Sequence, residues 1–405
     1  MENKPLAGVK IVEVAMWAFV PSAGAVLADM GAEVIKVEPP EGDPLRGLSI
    51  LGMSATADGL SIPWESYNRG KRSITIDLKV EGALEVLHRL LDNADVFLTS
   101  LLPAARRKMG IDVEDIQRRH PNVIYALGSG TGRSGPDGEK GGFDSMTYWA
   151  RGSGAESVTP PGSAYPLRMP SAAFGDVTSG NSLAGGIAAA LYRRAVTGKA
   201  SVVETSLLGS SMWSMQCNIM IATAHGLAEV PYLERVAIPN PLVNTYRTAD
   251  DRFIELCMLQ GQRYWANFCR AAGAEELASE SRFATAAARA ENIEACVAAV
   301  DSIFASYTLA EWRERLASQD GQWDVVQKSG ELVNDVQVTA NGYLQQVECS
   351  EGRTMPMISI PVQFDGKSPT ARGAPEKGID SDAILAEHGY DEDQIIDIKV
   401  AGIVF

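Results

Sequence analysis

The chain has 405 residues, 45% of them apolar, enough for two or three domains with full cores and against wholesale disorder. Its formal net charge of −15 excludes a general nucleic-acid binder, which needs a basic field, but leaves room for a small anionic ligand on a local basic patch. Cys217, Cys257, Cys269, Cys296 and Cys349 are odd in number and in no metal spacing, the N-terminus is polar, and no apolar run reaches the roughly 18 residues of a membrane span; a reducing cytoplasmic setting with no metal and no membrane partner is expected.

Residues 9–14 read as a strand, 21–30 as an Ala-rich helix opened by Pro21 and stopped by Gly31, and 33–38 as a second strand. That is a βαβ unit, which demands a right-handed parallel crossover. Strands follow at 73–78, 95–99 and 123–127, with helices at 81–93 and 113–119 between them. Such alternation predicts an α/β fold with an open parallel sheet and helices on both faces. Seven glycines among residues 128–142 mark a loop at a strand exit, a common place for function. Residues 143–150 read as helical. A second loop, 153–170, leads to Gly175-Asp176 and a small-residue helix. A strand at 201–205 and a Met-rich helix at 207–224 complete this half.

A smaller α+β region is expected over 226–325: a hairpin at 246–256 and helices at 264–271, 281–299 and 309–319. The expected division is therefore 1–225 with 326–405 as a large domain and 226–325 as a small one. The tail predicts a strand at 358–364 and helices at 382–389 and 391–400.

No Gly-x-Gly-x-x-Gly follows the first strand, which disfavours a dinucleotide there. No P-loop, zinc-protease helix or serine-nucleophile elbow is present. His88, His120, His225 and His388 have no partner at metal spacing and read as structural. Two basic clusters, Asn68-Arg69-Gly70-Lys71-Arg72-Ser73 and Arg106-Arg107-Lys108-Met109, suit either a solvated turn or a phosphate-bearing ligand. Asp176 has no histidine or cysteine within twenty residues on either side. Its placement favours a helix N-cap, and a carboxylate nucleophile attacking an activated acyl group is the alternative.

These segments carry a resemblance. Pro5-Leu6, Gly8-Val9, Ile11-Val12-Glu13-Val14, Leu27 to Glu38, Gly42-Asp43-Pro44, Arg46, Asn68 to Ile74, Gly142-Phe143-Asp144 and Gly175-Asp176 occur in this order. The chain resembles the class III CoA-transferase family, which includes the α-methylacyl-CoA racemases, over nearly its whole length. The resemblance implies a Rossmann-like large domain built from both chain ends, an inserted small domain and an interlocked homodimer. It implies no permanently bound cofactor, with a CoA thioester and a free carboxylic acid as substrates. It makes Asp176 the nucleophile, forming an aspartyl anhydride and then an aspartyl-CoA thioester.

Residue by residue, the implied CoA contacts are Ala18 and Phe19 after the first strand, Pro39 after the second, and Ile76, Asp77, Leu78 and Lys79 after the third. Ser100, Leu101 and Leu102 follow the fourth, with Lys108 and Met109 beyond. Gly141, Gly142, Phe143 and Asp144 line the approach to the thioester. Pro39 and Leu102 stand where relatives carry cations, so Arg46, Lys71 and Arg72 are the expected substitutes. Racemases of the family place a histidine where Phe143 stands. Racemisation needs a proton donor opposite the acceptor, so Phe143 favours transfer over racemisation. A CoA-binding protein without turnover is a third reading, which the intact Asp176 opposes.

Overall fold

A computed structural model describes residues 4–48, 54–56 and 58–405. In chain order the first elements are β1 (Lys10–Val14), α1 (Phe19–Asp29), β2 (Glu33–Glu38), α2 (Ile62–Asn68), β3 (Arg72–Thr75), α3 (Ala83–Leu91), β4 (Val96–Thr99), α4 (Pro103–Met109), α5 (Val113–Arg119) and β5 (Ile124–Ser129). After a π-helical turn at Asp144–Ala150 come α6 (Gly154–Val158), α7 (Phe174–Thr197), β6 (Val202–Ser206), α8 (Leu207–Ser214) and α9 (Gln216–His225).

The six strands form one parallel sheet in the order β3-β2-β1-β4-β5-β6. The apolar runs of β1 to β5 are buried on both faces, as parallel sheets require. Val12, Val14, Ile35, Val37, Phe97 and Tyr125 point to one face, where α3 and α5 cover them with Leu87, Leu90, Leu91 and Ile116. Ile11, Val34, Val96, Leu98, Ile124 and Ala126 point to the other, against Val20, Ala23 and Leu27 of α1 and Leu183 and Ile187 of α7. Helices α1 and α7 lie close together because Gly180 has no side chain; a Cβ there would sit 2.9 Å from the Phe19 carbonyl oxygen.

The chain divides into one compact unit of residues 1–230 with 336–405 and a second of 231–335. The second unit holds β7 (Val243–Arg247), β8 (Phe253–Cys257), α10 (Gly261–Ala272), α11 (Glu275–Ser279), α12 (Ala286–Glu291), α13 (Ile293–Phe304), α14 (Leu309–Leu316) and β9 (Trp323–Val325). Its antiparallel sheet, β7-β8-β9, carries an aromatic core in which Phe304 stacks on Tyr246 at 4.8 Å and on Trp312 at 4.1 Å. The C-terminal return adds α15 (Val336–Ala340), the antiparallel pair β10 (Leu344–Glu348) and β11 (Thr354–Ile358), α16 (Ser381–Glu387) and α17 (Glu392–Val400). Ile384, Leu385 and Ile395 join the first core.

The tail strand expected at 358–364 is instead β11, ending at Ile358. Pro361 lacks the ladder donor a strand needs there. The 207–224 helix breaks at Met215, and the 281–299 helix at Asn292. No single helix is long and apolar enough to cross a membrane among the described residues.

Candidate active site

Asp176 sits in the first turn of α7, the third residue after the cap position Ala173. Ala173 is in the left-handed region (φ 58°), and its side chain makes no capping bond. The helix start is fixed by packing instead. Gly175 lies flat on Tyr148, where a Cβ would be 2.5 Å from the ring. Phe174 meets the Tyr148 and Trp149 rings edge-on at 6.2 and 6.3 Å, and the Tyr148 hydroxyl donates to Ser214 at 2.9 Å. Asp176 is therefore not the helix cap. Its carboxylate makes no hydrogen bond or ion pair among the described residues.

The group facing it is another acid. Asp144, 9% exposed, opens the π-helical turn. Its Oδ1 accepts the Ser145 amide at 2.7 Å. Its Oδ2 is buried without a hydrogen-bond partner among the described residues. Burial first, and then the Asp144 charge, pushes the Asp176 carboxyl up to about 7. Burial also raises Asp144. Tyr67 of α2, half-buried, completes the group: burial and the charges of Asp176 and Asp144 raise its phenol. Tyr67 is not among the contacts that the sequence implies.

A crevice opens at the carboxyl ends of the strands, where the order turns from β1 to β4, the usual ligand position in such sheets. It gathers Pro39, Ile76, Asp77, Leu78, Lys79, Leu101 and Met109 from the expected CoA contacts, with Val14, Ala15, Met16, Val37 and Glu38. Contacts step from it toward the carboxylates. Ser100 holds the Met16 amide at 3.0 Å. Trp17, left-handed at φ 70° and anchored by its amide to Asp43 at 3.1 Å, meets Phe143 edge-on at 5.6 Å. Leu102, exposed, borders Gly141, and Gly142, Phe143 and Asp144 follow directly in the chain. Ala18 and Phe19 are buried at the start of α1.

The three substitute cations are engaged elsewhere. Lys71 is fully buried, with Glu13 at 2.9 Å, the Pro21 carbonyl at 2.9 Å and Asn68 at 3.0 Å around its ammonium. Arg46 forks onto Glu38 at 2.9 and 2.7 Å and stacks on Trp64 at 3.5 Å. Arg72 begins β3, at the opposite end of the strand from the crevice, and pairs with Glu33 and Glu387. Of the implied CoA contacts, Lys79, exposed at the crevice, and Lys108, exposed on α4, have ammoniums unpaired among the described residues. No group of three metal-ligating side chains occurs among the described residues.

Residues 6–381 match CoA-transferase family III. The chain is 33% identical over 400 residues to (R)-2-hydroxy-4-methylpentanoate CoA-transferase of Clostridioides difficile, covering 98% of this chain and 99% of the relative. It is 31% identical over 411 residues to cinnamoyl-CoA:phenyllactate CoA-transferase of Clostridium sporogenes, covering 98% and 97%. The crystal structure of a CaiB/BaiF family protein from Brucella suis superposes with a TM-score of 0.81 at 26% identity, over 96% of this chain and 100% of that one.

Proposed function

The chain belongs to CoA-transferase family III, and from that premise we propose that Asp176 carries CoA between an acyl-CoA thioester and a free carboxylic acid. The observation behind this reading is the Asp176 carboxylate, unpartnered among the described residues, beside Asp144. Poor solvation and a neighbouring like charge make it more basic than a surface carboxylate, and hence a better nucleophile.

The Asp176 carboxylate attacks the thioester carbonyl; the C–S bond breaks, and CoA leaves as thiolate with an acyl–aspartyl anhydride behind it. The thiolate attacks the aspartyl carbonyl of the anhydride, freeing the first acid as carboxylate and leaving aspartyl-CoA thioester. The second acid's carboxylate attacks that thioester, giving a new anhydride and thiolate. The thiolate then takes the new acyl group, and Asp176 returns as carboxylate. Negative charge develops at the start of α7, where the helix dipole steadies it.

In this reading the strand-end crevice holds CoA, with Lys79 and Lys108 at its phosphates. The second acid is a 2-hydroxy acid with an apolar side chain, as in the names of the two clostridial relatives. The protein works in the cytoplasm, consistent with its five free cysteines. Incubating the protein with an acyl-CoA and a labelled free acid should yield the labelled thioester. CoA binding with no exchange across a broad panel of acids would reduce it to a CoA-binding protein.

We also propose a homodimer that covers the exposed apolar residues Met212 and Trp213 of α8 and Met220 and Ile221 of α9, a helix with no buried residue. If the two chains interlock, differently tagged prefolded samples should form no mixed dimers in native buffer, and mix fully after joint refolding. Mixing within minutes would contradict the linkage.

A further inference from the structure

A cleft of about 440 Å³, within the roughly 300–1,000 Å³ of small-molecule sites, is lined by Tyr67 and by Val177, the residue after Asp176. Ile62 and Tyr67 of α2, Val177 and Asn181 of α7, and Ile358 and Pro361 at the end of the β10–β11 hairpin wall it. Val177 directly follows Asp176 at the start of α7, which brings the cleft wall next to the reacting carboxylate, and the charges of Asp176 and Asp144 reach Tyr67 on the same wall. The lining is mainly apolar, and two of its large side chains are open to solvent without a partner: Ile62 is 38% exposed and Ile358 66%.

Its one cation among the described lining residues is already satisfied. Arg69 donates to Asp29 at 3.0 Å and to the Ile358 carbonyl at 2.7 Å, and its side chain is 9% exposed. A second carboxylate in this cleft would be desolvated with no free positive charge to meet it.

We propose that this cleft receives the side chain of the acid exchanging on Asp176, and that it selects monocarboxylates with a branched or aromatic apolar side chain over short acids and over dicarboxylates. The proposal rests on the reading of Asp176 as nucleophile. The acid's carboxylate lies at Asp176, and its apolar end passes Tyr67 to rest between Ile62, Val177 and Ile358.

The test compares 4-methylpentanoate, propanoate and glutarate as acceptors of CoA from acetyl-CoA, in wild-type protein and in Ile62→Trp, Ile358→Trp and Ile358→Arg. Both isoleucines are partly open to solvent, so the larger side chains fit without a core rearrangement, and melting curves check folding. The wild type should prefer 4-methylpentanoate. Filling the cleft should lower the ratio of kcat/KM for 4-methylpentanoate to that for propanoate about tenfold or more. Ile358→Arg should raise the preference for glutarate. A wild type without preference, or a ratio unaltered in both tryptophan variants while thioester still forms, overturns the cleft assignment alone. No thioester from any acid in the wild type overturns it together with the transferase reading.

Discussion

Asp176→Asn is expected to lower CoA transfer by at least about 10⁴-fold while CoA still binds, because the amide cannot form the anhydride. The measurement is steady-state conversion of a labelled acid, alongside CoA binding to the same variant. The wild-type pH profile follows from the same group. Its folded pKa is raised to about 7, so the carboxylate is protonated, and not nucleophilic, below that value. The kcat/KM should therefore fall about tenfold per pH unit under pH 7 and level off above it. Asp144→Asn removes the like charge that adds to burial, so its acid limb should move to lower pH. An Asp176→Asn protein with wild-type turnover would contradict the assignment.

The second large effect concerns the scaffold that places the β1 exit. Glu13 of β1 is fully buried between Lys36 of β2, at 3.2 Å, and Lys71, at 2.9 Å. Lys36 also pairs with Asp43 at 3.0 Å, and Asp43 in turn holds the Trp17 amide. Burial works against the Lys36 charge, and Glu13 and Asp43 outweigh it, so its pKa is raised. Burial wins at Lys71, which is pushed down to about 8 despite Glu13.

Glu13→Gln leaves Lys71 buried with no ion-pair partner among the described residues, while Lys36 keeps Asp43, and such uncompensated charge typically costs about 3–5 kcal/mol. We expect the low end at neutral pH, because Lys71 can shed its proton. The sign is definite. A lysine with a depressed folded pKa binds more protons unfolded than folded, so stability rises with pH until the unfolded group also titrates. The deficit against wild type should be greatest near pH 6 and shrink toward pH 9, read from paired thermal melts. A variant that melts with the wild type at pH 6 would contradict this account of the cluster.

The sheet was legible because its strands are short apolar runs separated by amphipathic helices. Val12, Val34, Phe97 and Ile124 announce buried positions without any knowledge of their neighbours. The β10–β11 pair was not. Leu344-Gln345-Gln346-Val347-Glu348 is mostly polar and becomes a strand only by pairing with Thr354–Ile358. Helix α2 is seven residues long, too short for a clear period. Its start was readable all the same: the Ser61 hydroxyl caps the Trp64 amide and Pro63 lies in the first turn, a recognised opening. Following that signal would have brought Tyr67 into the site.

Charge was the harder problem. Lys71 and Arg72 look free in the sequence because Glu13 and Glu387, which neutralise them, lie 58 and 315 residues away. A run of cations states how much charge is present, but only the fold states where its counter-charge sits. The same limit applied at Asp176. Its place at a helix start was readable, whereas the lack of a hydrogen bond to its side chain among the described residues, and the presence of Asp144 beside it, belong to the tertiary packing.

The most direct measurement is peptide mass after hydroxylamine is added during turnover with an acyl-CoA. Hydroxylamine attacks an aspartyl anhydride or thioester at its activated carbonyl and leaves a hydroxamate on the side chain. The peptide spanning Asp176 should carry the hydroxamate only when acyl-CoA is present. An unmodified Asp176 in protein that continues to transfer CoA, or a hydroxamate on another residue, would contradict the account.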